Sequence, residues 1–186
     1  MKKQVSIISL ILAFAIQSGI VHADNSQQPQ SKTPTIETKA ITPKERARKR
    51  FEEDRNIYSV EELRDIEKLY QVANKQWNSP EAKESLKILI EKYPKANRTG
   101  CALQYLGQMS SGEEKEQYLK RAIKDFGDCY YGSGVQVGAY ARLYLADYYR
   151  KQGKANEAKA LYEEIQKYYP DAVNHKGKPL GNIIPK

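Results

Sequence analysis

The chain has 186 residues, a formal net charge of +8 and a mean hydropathy of −0.76. Of its two histidines and two cysteines, His22 lies in the N-terminal leader pattern, and the three that remain are too few for a four-ligand His/Cys zinc site. A Ser-His-Asp arrangement would rest on one histidine of the polar tail, His175. No catalysis, no metal and no cofactor is expected.

In chain order, Lys2 and Lys3 precede an apolar stretch from Val5 to Ile16, and Val21-His22-Ala23 places small residues at −3 and −1. This is the pattern of a signal peptide cleaved near Ala23, too short for a membrane anchor. A periplasmic or secreted protein, of bacterial type, is the expectation. Residues 24–41 carry Gln, Ser, Thr, Pro and Lys without hydrophobic period and read as a disordered linker.

Helix starts follow. Thr42-Pro43-Lys44-Glu45, Ser59-Val60-Glu61-Glu62, Ser111-Gly112-Glu113-Glu114 and Ser133-Gly134-Val135-Gln136 fit the capping box. Ser79-Pro80-Glu81 is a further start with proline at the first helical position. Asn97 or Thr99 would cap another. Seven helices are predicted near 43–56, 60–76, 80–92, 99–109, 113–126, 135–152 and 156–168. Alternating β-branched runs are nearly absent, so the fold class is all-α.

The first helix, over 42–58, is polar and carries Arg46, Arg48, Lys49 and Arg50. A solvated face is its simplest reading. Contact with an anionic envelope polymer or a membrane surface is the alternative. Export and the following Glu52, Glu53 and Asp54 argue against nucleic acid. Two cysteines in an exported chain predict one disulfide, Cys101 with Cys129. Gly132, Gly134 and Gly138 have the wrong spacing for a dinucleotide loop and no strand before them.

A spacing recurs in the remainder. Ala82, Leu86, Leu89 and Pro94 step by four, three and five residues, as do Ala158, Tyr162, Ile165 and Pro170. Leu145, Ala146 and Tyr149 precede the second set, with Gly153 between them. This resembles the tetratricopeptide repeat (TPR), whose hairpins alternate large, small and aromatic positions and stop at proline. Arg142 stands where the family has tryptophan and Ile165 where it has a small residue. The equivalent positions Leu89, Ala122 and Ile165 lie 33 and 43 residues apart, so Gly127–Val135 is an inserted loop.

The resemblance implies about three hairpins in a short right-handed α-solenoid over 59–174, followed by an irregular tail at 175–186. It implies a groove for a protein or extended peptide. Carried over by position, that groove takes Arg64, Glu67, Gln71, Asn74 and Lys75 from the first unit and Gln104 and Gln108 from the second. Tyr140, Leu143, Asp147, Arg150 and Lys151 come from the third. Tyr140, Tyr144 and Tyr148 form a stripe of their own on one helix. The expected function is an exported, non-catalytic scaffold that holds a protein or peptide in the cell envelope. Its oligomeric state stays open.

Overall fold

The computed structural model describes residues 40–185, and the expected signal peptide and nearly all of the linker lie outside them. The described chain is helical: α1 Pro43–Asp54, α2 Val60–Lys75, α3 Pro80–Lys92, α4 Asn97–Met109, α5 Gly112–Asp125, α6 Val137–Lys151 and α7 Ala155–Tyr168. A 3-10 turn, Leu180–Asn182, follows. Among the described residues the only β features are two isolated bridges, Tyr130 with Gln136 and Val173 with Pro179.

Two of the four predicted capping boxes form. The side chains of Thr42 and Ser59 accept the N–H of Glu45 and Glu62, whose carboxylates return to the cap N–H at 2.7 and 2.8 Å. Ser79 caps α3 through the N–H of Ala82. The others differ. Ser111 precedes α5 without a side-chain bond, and α6 starts after Gln136 rather than after Ser133. Residues 130–136 close a bridged loop instead of a helical turn, which removes Ser133 from the cap. Neither Asn97 nor Thr99 caps α4. Ala96 stands at that position, and the buried carboxylate of Asp54 takes the N–H of Asn97 at 3.0 and 3.2 Å. A negative group at a helix N-terminus meets both orphan donors and the helix dipole. Helix α1 therefore caps α4.

The helices pair as α2/α3, α4/α5 and α6/α7, and each hairpin packs on the next through α3/α4 and α5/α6. The first helices of the hairpins, α2, α4 and α6, also touch in sequence. This places them on the inner face of a short solenoid, with α3, α5 and α7 outside. Small residues set the closeness of the pairs. A Cβ at Gly107 would sit 2.6 Å from the side chain of Leu119, so glycine is required where α4 crosses α5. Ala82, Leu86, Leu89, Ala158, Tyr162 and Ile165, the recurrent set, are all buried in one continuous core. Full burial of each large one stabilises by roughly 1.5–3 kcal/mol.

The inserted loop has a twin. Cys129 and Ala172 donate to the carbonyls of Phe126 and Tyr169 at 3.1 and 3.0 Å. Tyr131 and Asn174 donate to Val135 and Lys178 at 2.9 Å each, and Val137 and Leu180 donate to Cys129 and Ala172 at 2.8 Å each. Every pair is 43 positions apart. Residues 171–180, expected to be irregular for most of their length, repeat the loop that follows α5.

Helix α1 crosses both loops. Arg46 reaches Asp171 at 2.5 Å, while Arg50, a turn later, bonds Asp54 at 2.8 Å and lies 3.9 Å from Asp128. Asp128 and Asp171 hold the same place in the two loops. The basic cluster is thus partly internal, with the Arg50 side chain only 13% exposed.

The expected disulfide is corrected: Cys101 and Cys129 are free, buried thiols. The Cys101 thiol faces the carbonyl of Tyr130 at 3.5 Å, and that of Cys129 lies 3.9 Å from the Arg50 guanidinium. Each sulfur has a polar neighbour of its own, and the Cys101 thiol lies near enough to add to the shift at Cys129. Burial pushes Cys101 up to about 12 and raises Cys129 as well, against the pull of Arg98 and Arg50 respectively. Both are inert at neutral pH.

Candidate functional site

The inner face carries a polar chain on α2. Glu67 accepts two bonds from the guanidinium of Arg98, at 2.8 and 3.1 Å, and one from the Gln71 amide. Gln71 in turn accepts from Asn74 at 3.1 Å, and Asn74 accepts the Tyr105 hydroxyl at 3.1 Å. The Arg98 guanidinium carbon lies over the Tyr70 ring, 4.2 Å from its centroid, in a cation–π contact. The amides of Gln71 and Asn74 are thereby oriented before anything binds.

Beside this chain runs a row of aromatic rings. Trp77, half exposed just after α2, meets the Tyr105 ring edge-on at 5.0 Å. Tyr105 stacks on Tyr70 at 5.2 Å and touches Tyr131 of the first loop at 5.5 Å. Tyr131 meets His175 of the second loop at 4.9 Å, His175 meets Tyr140 at 5.2 Å, and Tyr140 meets Tyr144 at 5.1 Å. Tyr70 and Tyr131 are buried and anchor the row, while Tyr105, Tyr140 and Tyr144 are partly open. Burial raises the phenols of Tyr105, Tyr131 and Tyr140, so all three stay neutral at physiological pH.

The residues assigned to the groove by position divide. Glu67, Gln71, Asn74 and Tyr140 fall on the polar chain and the aromatic row. Arg64 and Lys75 are exposed on α2 and flank them. Gln104 is fully buried beneath the row: its side-chain oxygen accepts the Tyr131 hydroxyl and its amide nitrogen has no partner. Leu143 is buried and packs in the core. Neither presents itself to a ligand: Tyr131 of the first loop folds back over α4 and covers Gln104, and Leu143 faces the core. Asp147 turns toward α7, accepting the Tyr162 hydroxyl at 2.8 Å, with Arg150 3.7 Å away. Gln108 is half-buried and Lys151 exposed.

The reading by position missed Trp77, Tyr105, Tyr131 and His175. Tyr105 stands one residue after Gln104, so a one-position shift on α4 would have found it. No local signal identifies His175. A lone histidine in a polar tail reads as solvated, and His175 does keep an exposed side, but its ring also packs on Tyr131 and Tyr140 with Nδ1 3.2 Å from the Ser133 hydroxyl. Burial lowers its pKa below the usual value.

The family model for the tetratricopeptide repeat matches residues 140–172, which span most of α6, all of α7 and the start of the second loop. The α6/α7 hairpin is thus a tetratricopeptide repeat, and the helical hairpins before it support the same type for the described domain. Comparisons with curated proteins and with solved structures found no match. Repeats of this type form interaction scaffolds, and the aromatic row lies on the TPR face made by the first helix of each hairpin.

Proposed function

We propose that this TPR protein is an exported, non-catalytic scaffold that holds an extended peptide segment of a partner protein in the cell envelope. The observation that carries the reading is the aromatic row from Trp77 through Tyr105 to Tyr140 beside the oriented amides of Gln71 and Asn74. An extended peptide needs donors and acceptors for its backbone and a few rigid anchors for its side chains. Amides meet the first need. Rings with two rotatable bonds meet the second at low entropic cost.

The alternative, an anionic polymer or membrane surface held by the basic helix, draws less support. Arg46 and Arg50 are committed to Asp171 and Asp54, and Arg48 lies 3.7 Å from Glu52. The charge left free on α1 is small.

A photo-crosslinking residue at Trp77 tests the reading in intact cells, with the same residue at exposed Ile88 on the outer helix α3 as control. A discrete protein captured from position 77 and not from 88 supports the groove. The same products from both positions, or none from 77, would remove it. A partner captured from a cytoplasmic pool would remove the envelope setting alone.

A further inference from the structure

The twin loops make α7 comparable with α5 residue by residue, at an interval of 43. After the first loop the chain enters α6 at Val137, and α6 packs on α5. After the second, Leu180 takes the position of Val137, and the 3-10 turn it begins packs on α7 in the same way. Ile184 then tucks against the domain, and Pro185 stands at the position of Arg142, where the helix would run on. The face of α7 that corresponds to the α6 seat on α5 is covered only at its start. Beyond it lies a groove of about 410 Å³ lined by Ala155, Ala158, Lys159, Tyr162 and Ile184 among others.

The charges at the two seats are exchanged. On α5, Glu116 pairs with Lys120 at 2.6 Å and accepts the hydroxyl of Tyr149 from α6 at 2.7 Å. At the corresponding places α7 carries Lys159 and Glu163, 3.8 Å apart. Where α5 offers the incoming helix an acceptor, α7 offers an ammonium.

We propose that this groove docks an amphipathic helix of a partner protein, seated on α7 as α6 sits on α5. Where α6 carries Tyr149, that helix carries Asp or Glu. A second copy of the chain fits less well, since its own α6 is already packed in its core and presents the phenol. The site is separate from the inner face, so a partner peptide and a partner helix engage at once.

Two probes decide it: helices with the sequence of residues 143–151, the part of α6 that lies beyond the positions taken by Leu180–Pro185, held helical by a side-chain lactam on the outward face, one with Tyr149 kept and one with Tyr149→Glu. Each is titrated into the full chain by fluorescence anisotropy. The glutamate probe should bind at least about tenfold tighter than the tyrosine probe. Lys159→Glu, at a side chain 76% exposed and harmless to the fold, should abolish that preference. No binding by either probe, or a preference that survives Lys159→Glu, would overturn the proposal. So would a dimer in sedimentation that Lys159→Glu dissociates, which would make a second copy the occupant.

Discussion

Gly134 and Gly177 stand at the same point of two loops 43 residues apart, each with a left-handed backbone, φ 91° and 73°. Each donates its N–H three residues back, to Tyr131 and Asn174, at 2.9 and 2.8 Å. Their surroundings differ. A Cβ at Gly134 would lie 2.9 Å from the backbone of Pro43 and Lys44, while one at Gly177 would meet nothing within 4 Å. Gly177→Ala should therefore cost about 1 kcal/mol, the conformational penalty alone. Gly134→Ala should cost about 3 kcal/mol, because the start of α1 must also move. Urea denaturation of the two variants measures the difference, and equal losses would show that α1 does not rest on the loop.

Asp54 joins α1 to α4, and its loss should be felt in both. Asp54→Ala removes the cap on Asn97 and leaves Arg50 buried without its closest partner. A loss of about 3–5 kcal/mol is expected. Arg46→Ala breaks a pair whose side chains are 25% and 61% exposed and should cost less than about 1 kcal/mol. Thermal melts of both variants separate the buried pair from the surface one, and a similar small loss in each would mean that α1 is only loosely held.

Thiol reactivity follows from burial. With Cys101 pushed up to about 12, on the order of one molecule in 10⁴ carries that thiolate at pH 8. Alkylation at pH 8 should leave the native chain unmodified for hours and label both cysteines in denaturant without reductant. Labelling that requires reductant as well would show a Cys101–Cys129 bond.

His175 links pH to the aromatic row. Burial favours its neutral form, so its folded pKa lies below the unfolded one. The sign is that of a depressed base: its contribution is complete above the unfolded value, about 6.5, and is lost as pH falls through the folded value. The second loop should loosen from Tyr131 and Tyr140 on acidification. An NMR titration of the imidazole, made in His22→Gln to leave one histidine, should give a lower midpoint in buffer than in urea. Equal midpoints would place His175 in solvent.

The seven helices were legible because each is specified locally. Caps at Thr42, Ser59 and Ser79 and the four-three-five spacing of small and large residues need only neighbours in the chain. The twin loops were not. Their sequences share little beyond the Asp128/Asp171 and Gly134/Gly177 pairs, and the likeness lives in backbone hydrogen bonds that most side chains satisfy. Ser133 misled for a related reason: its spacing to Gln136 suits a cap, but the bridge from Tyr130 to Gln136 claims the same residues.

The groove was half legible. Position within a repeat places Gln71, Asn74 and Tyr140 because helical phase decides which face a residue takes. It cannot place Gln104, which is covered by a loop from the next hairpin, or His175, which reaches the row from the end of α7.

By itself, then, the sequence determined the helices, their pairing and the all-α class, since hydrophobic spacing and caps act over a few residues. Tertiary structure alone decided that Asp54 caps α4, that Arg46 and Arg50 pair with Asp171 and Asp54, and that aromatic rings from five separate segments form one row. Those outcomes depend on residues that are remote in the chain, where packing rather than local preference selects the neighbour.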